Sequence, residues 1–510
     1  MDAMQLKNVL EEVPTADIPP EAKANKTMWV WALKTDQYGY VIRFKARLVA
    51  LGNWQRPGID FGETFSPVAR MSSFRMTLAL AAELNLKVYG GDINTAYLNA
   101  TLKIPQYVKS IDGFPCRRKE HMYVVRKALY GLRQAGREWN DELHNWMMEN
   151  EYQRCLTEPC LYYCQDTDGT IVLVLVYVDD ILCATNNEAV KVDLFGKLAL
   201  QYGIKDQGEL TEYLGVEVQS SQDAMKISQR KYSREILQKF HFEQAHAVGT
   251  PLETKQNLMC AEEKDDIDKT FDYRGAVGML MYLTTCSRPD LAYAVGQLSR
   301  FVANPTKHHV GCVKRVLRYL AGTLDYGIVY KRAQSTQHPK IVIQGYCDSD
   351  WASDAADRKS TGGFVFLLAG GAISWSSKRQ PIIALSTAEA EYVAACEATM
   401  EAIGERNIVS EILPTIPVEM HIGIDSQSAY VMATNPTYSR RTRHIELRWH
   451  FVREQVKLKK VILEKVAGVD NPADLFTKAL DKKRLARLSK LMGVQKEDVR
   501  DGYLERGVLE

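Results

Sequence analysis

No apolar run among the 510 residues approaches the roughly 18 needed to cross a bilayer, so no segment reads as a membrane span. An excess of charge of one sign is also missing: 65 basic against 63 acidic residues leave a net charge of +2. A nucleic-acid partner would therefore have to be held by local basic faces. The ten cysteines contain no Cys-x-x-Cys. Cys155, Cys160 and Cys164 come nearest to a cluster, but their spacing does not suit zinc, and His308, His309 and Cys312 read as helix-surface residues rather than ligands. Met1 to Pro20 lacks the basic and apolar regions of a secretory signal, so an intracellular protein with reduced thiols is expected.

What is present is ordinary globular composition, 46% hydrophobic and 25% charged, in a chain long enough for roughly two to four domains. Its most informative stretch is Ile171 to Thr185, Ile-Val-Leu-Val-Leu-Val-Tyr-Val-Asp-Asp-Ile-Leu-Cys-Ala-Thr. The β-branched run predicts a buried strand, and the apolar residues after Asp179 and Asp180 predict a second, giving a hairpin with both carboxylates at its tip. Such a tip is either a solvated Asp-Asp turn or a place where a hard divalent cation offsets two costly acids.

Upstream, residues 1–27 are polar and poorly patterned. Met28 to Val49 predicts a hairpin about Asp36-Gln37-Tyr38-Gly39, with Arg43, Lys45 and Arg47 on one face of its second strand. That face is either merely solvated or a grip for triphosphate or a template backbone. Ser72 to Leu86 has helical spacing. A strand then ends near Asp92, which is either a helix cap or the third member of a carboxylate set with Asp179 and Asp180, as two-metal phosphoryl transfer requires. Trp139, Leu143, Trp146 and Met147 form the inner face of a helix, Val192 to Tyr202 is helical, and Glu212 to Val218 reads as a strand containing Gly215.

Six segments in order carry a resemblance: Arg47-Leu-Val-Ala, Phe65-Ser-Pro-Val, Asp92-Ile-Asn-Thr-Ala-Tyr-Leu-Asn, Leu129-Tyr-Gly-Leu-Arg-Gln, Tyr177-Val-Asp-Asp and Tyr213-Leu-Gly-Val. Together they resemble the reverse transcriptase of copia-type long-terminal-repeat retrotransposons. The resemblance implies an α+β right-hand polymerase, with fingers and palm over 25–250 behind a poorly patterned 1–24. It implies Mg²⁺ ligation by Asp92, Asp179 and Asp180, with Mn²⁺ as a substitute. Tyr97 matches the residue that screens out ribose 2′-hydroxyls, Gln134 a nucleotide contact, Leu214-Gly215 a primer-gripping turn, and Lys45 and Arg47 triphosphate contacts. Two departures stand out: Ile104 to Glu120 is unusual for the family, and Gly136 stands where proline is common.

Residues 253–270 are an acid-rich connector, and Tyr273 to Gly322 reads as helices, the last capped by Thr306 and stopped by Gly322. Lys307, Lys314 and Arg318 form a basic stripe, either solvated or tracking a duplex backbone. This block, 251–335, resembles the family's helical thumb and connection. Lys331 to Lys340 reads as a linker. A second constellation follows. Ile341 to Asp348 and Met420 to Asp425 are strands ending in acids, and Gly362 to Leu368 and Ala372 to Trp375 are further strands. Ser386 and Glu389 fit a capping box, which frees Glu391 to face a site. Asn471-Pro472 opens what is expected to be the last helix, in which Asp474 is either a dipole-matching acid or a fourth carboxylate.

The segments Tyr346-Cys-Asp-Ser-Asp-Trp, Ser386-Thr-Ala-Glu-Ala-Glu-Tyr, Asp425-Ser-Gln-Ser-Ala, His444-Ile-Glu-Leu-Arg-Trp-His-Phe and Ala473-Asp-Leu-Phe-Thr-Lys resemble ribonuclease H in its copia-type form. That implies an α/β domain with a mixed five-stranded sheet over 336–490, followed by a tail, 491–510. It also implies a catalytic and metal-binding set of Asp348, Glu391, Asp425 and Asp474, with two ions per active site, and places the Arg440-Arg-Thr-Arg-His run toward nucleic acid. No histidine precedes Asp474 where many relatives carry one. The implied partners are RNA template, DNA primer, RNA–DNA hybrid and deoxynucleoside triphosphates, with dimerisation or association with integrase and capsid proteins in a cytoplasmic virus-like particle that gains access to the nucleus. The chain begins at the fingers, as expected either of a fragment cut from a polyprotein or of a truncated, inactive copy that only binds nucleic acid.

Overall fold

The run from Ile171 lies at the centre of a six-stranded sheet, where Val172, Leu173, Val174 and Leu175 are each at most 1% exposed. A computed structural model of the chain describes residues 2–35, 40–165, 169–254, 256, 258–261, 267–334, 340–354, 356–434 and 446–496. It divides into two compact units: Met1–Ala69, Tyr89–Cys183 and Asn187–Gly208 form one, and Arg70–Val88, Ala184–Asn186 and Glu209–Glu510 the other.

In the first unit the sheet runs, in spatial order, Ile204–Glu209, Lys87–Ile93, Asp180–Thr185, Ile171–Tyr177, Leu161–Gln165 and Gln153–Arg154. The strand that carries Asp92 next to its last residue thus lies directly beside the strand that begins at Asp180. The helix Ala135–Glu149 buries Trp139, Leu143, Trp146 and Met147 in this unit's core, as their spacing predicts. The expected hairpin is present as Thr27–Thr35 paired with Val41–Ala50. The opening segment is more ordered than its polarity suggests. Asp2–Leu6 is helical, and Leu10–Pro14 pairs antiparallel with His121–Lys127 in a four-stranded sheet with Thr101–Val108 and Ala24–Asn25. A strand at a sheet edge needs only one apolar face, so Val13 and its neighbours pair without a strong apolar pattern.

The second unit contains two five-stranded sheets. The first is antiparallel: Glu212–Tyr213, Val216–Ser220, Ala224–Ser228, Gly327–Lys331 and Val494–Gln495. Two expectations change here. The single strand expected over 212–218 is a hairpin, because Leu214 and Gly215 both take left-handed backbone (φ 49° and 73°). The stretch expected to be a tail supplies a strand at Val494–Gln495. Helices Tyr273–Cys286, Ala292–Ser299 and Lys307–Gly322 follow the predicted spacing, and the last is capped by Thr306. His309 and Cys312 face inward rather than outward. His309 is 1% exposed and its ring stacks on Phe301 at 4.1 Å.

The other sheet is mixed, in the order Gly371–Arg379, Thr361–Leu368, Ile341–Ser349, Val418–Ile424, Ile462–Lys465, with the last two pairings parallel. The 26-residue helix Thr387–Ile412 packs on it. The helix Met71–Glu83, early in the sequence, belongs to this unit. Arg75, 5% exposed, donates to the carbonyls of Ile373, Thr285 and Cys286 and lies over the Trp375 ring at 3.9 Å. The units therefore do not follow the linear partition, and a fragment cut at 336–490 would lose Arg75 and the Gly327–Lys331 strand from against its sheet. The Arg440 to His444 run lies outside the described residues.

Candidate active sites

The first carboxylate set is built on a two-residue turn. Strand Ile171–Tyr177 ends, Val178 and Asp179 turn, and strand Asp180–Thr185 begins. Val178 has φ 58°, left-handed backbone that a β-branched side chain adopts only under constraint. The constraint comes from two hydrogen bonds. Trp139 Nε1 donates to the Val178 carbonyl (2.7 Å), and the Ile93 N–H to the Asp179 carbonyl (2.8 Å). The second ties the end of the Asp92 strand to the turn. At Gly91 an added Cβ would stand 2.5 Å from Ile204 Cδ1 and 3.2 Å from Phe195 Cε2, so a larger residue there would need these side chains to shift.

Charge is concentrated here. Burial, together with the charges of Asp179 and Asp92, pushes the Asp180 carboxyl up to about 6. Asp179 is raised by burial and by Asp92, against the opposing pull of Lys45 and Arg47. The hairpin cations therefore act on the turn. Tyr97 sits in a short 3₁₀ segment, Ala96–Asn99, its ring 4.8 Å from that of Tyr130. Burial and the Asp179 charge raise its hydroxyl and push that of Tyr130 up to about 12. At Gly136 an added Cβ would meet Ser66 and the Tyr97 hydroxyl at 3.5–3.9 Å, ordinary contact, so that departure leaves the ring's surroundings undisturbed. Gln134 is placed differently. It is 3% exposed, accepts from Gln55 Nε2 (3.0 Å) and donates to the Asp60 carbonyl (3.3 Å), so its side chain belongs to a buried glutamine network. In the second unit, the Leu214 carbonyl accepts from the Tyr282 hydroxyl (2.6 Å), which holds the Leu214-Gly215 turn.

The second set is drawn tighter. Ligand oxygens of Asp348, Glu391 and Asp425 all lie within 4.8 Å of one another, the only such group among the described residues. Asp348, 1% exposed, sits near the end of its strand, and Asp425 directly follows the parallel strand beside it. Glu391 comes from the first turns of the long helix. Ser386 caps that helix, accepting from the Glu389 N–H, and Glu389 Oε2 in turn accepts from the Leu385 N–H (2.7 Å). Glu389 thus reaches back one residue further than a capping box would have it, and Glu391 is left to the site. Burial and the charges of Asp348 and Asp425 push Glu391 up to about 9, and its Oε2 is buried with no hydrogen-bond partner. Asp425 is raised by burial and by Asp348. Three converging carboxylates with an orphaned oxygen and no soft donor fit a hard divalent cation.

Asp474 does not join that group. The expected last helix is a five-residue 3₁₀ turn, Pro472–Phe476, capped by Asn471, and the last helix is Lys482–Leu491. The turn presses on Gly363, where an added Cβ would lie 2.5 Å from that of Phe476. Asp474 is fully buried, with Lys478 Nζ 2.6 Å from its Oδ1 and Arg484 donating to its Oδ2. Asp348 is engaged by the Thr477 hydroxyl and by Lys478 Nζ at 3.2 Å. Asn471 Nδ2 donates to the Cys347 carbonyl (3.0 Å) and bonds Asp425. Thr477, Lys478 and Arg484 were not foreseen as site residues. The i,i+4 spacing of Asp474 and Lys478 was the available signal.

Comparison with known proteins sets these sites in a family. Residues 12–254 match the family model for reverse transcriptase (RNA-dependent DNA polymerase). The retrovirus-related Pol polyprotein from transposon TNT 1-94 of Nicotiana tabacum is 38% identical over 487 residues, 94% of this chain and 36% of that protein. A transposon Ty5-1 protein of Saccharomyces cerevisiae is 32% identical over 61% of this chain and 99% of its own length. Among solved structures, a foamy viral protease-reverse transcriptase in complex with double-stranded DNA aligns over 91% of this chain and 68% of that one, with 12% identity and a TM-score of 0.48. The chain spans about a third of the length of the plant Pol polyprotein it matches.

Proposed function

Since this chain belongs to the reverse transcriptase family of copia-type retrotransposon Pol proteins, we propose that it copies RNA and DNA templates into DNA and cleaves the RNA strand of the resulting hybrid. The observation that carries the reading is the pair of carboxylate sets, one on the strained 178–179 turn and one at Asp348, Glu391 and Asp425. Both suit divalent ions, Mg²⁺ first and Mn²⁺ as a substitute, which when bound would supply charge to phosphates and activate an attacking oxygen.

In the polymerase reaction the primer 3′-oxygen attacks the α-phosphate of a deoxynucleoside triphosphate and pyrophosphate leaves. Asp92, Asp179 and Asp180 would hold the ions, and Lys45 and Arg47 supply positive charge close to them for the triphosphate. Tyr97 would close the space beneath the sugar against a 2′-hydroxyl. The Leu214-Gly215 turn would grip the primer. Gln134, committed to Gln55 and Asp60, is given no nucleotide contact. In the nuclease reaction water adds at an RNA phosphorus and a sugar oxygen leaves. Asp348, Glu391 and Asp425 would hold the cation, with Asp474 supporting them through Lys478.

A fingers, palm and thumb arrangement, dimerisation or association with integrase and capsid proteins, and residence in a cytoplasmic virus-like particle with access to the nucleus belong to the same proposal. Primer extension on a poly-ribonucleotide template with Mg²⁺ tests it. Extension that disappears in Asp179→Asn supports the reading. No extension by the parent chain favours an inactive copy that only binds nucleic acid.

A further inference from the structure

Building on the nuclease reading above, we propose that Gln380 is a positioning residue of the second site: its buried side-chain amide braces the strand that carries Asp348 against the helix that carries Glu391, and so sets how well these acids hold a divalent ion. Gln380 directly follows the strand Gly371–Arg379 and is 1% exposed. Its own N–H donates to the Ser360 carbonyl (2.8 Å), which anchors it at the start of the neighbouring strand Thr361–Leu368. From there Nε2 donates twice, to Ser349 Oγ (3.1 Å) and to the Ala390 carbonyl (2.8 Å). Ser349 is the residue after Asp348, and Ala390 is the residue before Glu391. The Ser349 N–H in turn bonds the Glu391 carboxylate. One amide therefore braces the chain next to both acids, and does so at the residue whose N–H meets Glu391.

The partners fix the orientation of the amide: the Ala390 carbonyl can only accept, so the nitrogen must face it. Oε1 is left buried without a hydrogen-bond partner. An unpaired buried oxygen costs stability that an apolar side chain of similar shape would not lose. The amide is thus a poor choice for packing alone, and what it adds is a fixed link between two segments. Asn471 makes the corresponding link on the other side of Asp348. Its Nδ2 donates to the Cys347 carbonyl (3.0 Å), and it also bonds Asp425. The two neighbours of Asp348 are therefore each tied by a buried amide toward another acid, Cys347 toward Asp425 and Ser349 toward Glu391. Carboxylates held within 4.8 Å of one another repel when charged, and unbraced segments would spread. Gln380 resists that spreading through Ser349 and Ala390. Its effect should therefore fall on ion binding and turnover, not on binding of the hybrid.

The test uses the full chain in an Asp92→Asn, Asp179→Asn, Asp180→Asn background, which silences the first carboxylate set. Mn²⁺ binding is measured by electron paramagnetic resonance, and the binding that disappears on Glu391→Gln is that of this site. Gln380→Met keeps the length of the side chain and removes both donors. It is expected to weaken this Mn²⁺ binding by about 10- to 100-fold and to lower hybrid cleavage per folded molecule by a similar factor at limiting Mn²⁺. KM for the hybrid should stay near that of the background chain, and raised Mn²⁺ should restore part of the rate. A folded Gln380→Met with undiminished Mn²⁺ affinity overturns the inference, as does a defect confined to KM or to the folded fraction seen in thermal unfolding. Ser349→Ala removes the other end of the link and decides the matter if Gln380→Met does not fold: weakened Mn²⁺ binding supports the inference and unchanged binding overturns it. Hybrid cleavage by the background chain leaves the nuclease reading standing in each of these cases. Absence of both cleavage and Glu391-dependent Mn²⁺ binding in that chain overturns the two together.

Discussion

At the Val178–Asp179 turn the acids come from neighbouring strands of one sheet and remain half-buried, with Lys45 and Arg47 acting on them. At Asp348, Glu391 and Asp425 they come from two strand ends and a helix start, converge within 4.8 Å, and have a lysine and an arginine packed against the acid beside them. Like charges brought together without a counter-ion cost free energy. The first set keeps that cost low by staying open, with Lys45 and Arg47 acting on it. The second is built closed, and the surrounding protein supplies part of the opposing charge. An open set should depend on what binds to it, whereas a closed one should show its charge balance in the stability of the protein itself.

Separate substitutions should split the two activities. Asp179→Asn removes charge from the first set only, and primer extension should fall by about 10³-fold while hybrid cleavage stays near the parent rate. Glu391→Gln should do the converse. Parallel assays on the full chain check this, and loss of both activities in either variant would mean the sets do not act independently. A smaller effect tests how the open site chooses its substrate. Tyr97→Ala opens the space under the sugar, so discrimination against ribonucleotides should drop on the order of 10- to 200-fold, read as the ratio of incorporation efficiencies. An unchanged ratio would remove Tyr97 from the site.

Glu405 separates burial from function in the second unit. It is buried and pushed up to about 8, by burial and by the neighbouring charge of Glu401, but lies outside the carboxylate cluster. It keeps its proton in the fold, whereas the unfolded chain releases it near the usual 4.5. Its contribution to stability is therefore complete below 4.5 and is lost as pH rises to about 8. Glu405→Gln should flatten the decline in melting temperature over that window and leave hybrid cleavage intact. An unchanged pH profile would show that the group is ionised in the fold.

What was legible in the sequence follows from how local each signal is. The hairpin at Asp179 and Asp180 was readable because a buried run and its turn are contiguous. Asp348, Asp425 and Glu391 were readable because strand ends and helix caps have their own chemistry. Gln134 was placed by resemblance, and nothing nearby in sequence announced that Gln55 would bond it across the fold. Asp474 illustrates a second limit. A proline at a helix start is equally a proline opening a 3₁₀ turn, and only packing against Gly363 decides between them. The membership of Met71–Glu83 in the second unit depends on Arg75 meeting carbonyls at Ile373 and Thr285, a contact no local pattern encodes.

The smallest predicted effect separates the two acids at the start of the long helix, where the closed site meets its scaffold. Glu389 Oε2 accepts from the Leu385 N–H at 2.7 Å while Ser386 accepts from the Glu389 N–H, so the pair supports the helix start. Glu391 lies two residues on, about 200° round the helix, and points into the cluster. Glu389→Ala should cost about 0.5–2 kcal/mol, the range for lost helix caps, and lower the melting temperature with little change in cleavage per folded molecule. Glu391→Gln should abolish cleavage and leave the metal-free melting temperature unchanged or slightly higher, because it replaces an acid that burial already disfavours in its charged form. Both are measured on the full chain, since the sheet beneath this helix shares its core with Arg75 and the Gly327–Lys331 strand. If Glu389→Ala is the dead nuclease and Glu391→Gln cleaves normally, the helix enters the site about half a turn out of register and the carboxylate cluster is misassigned.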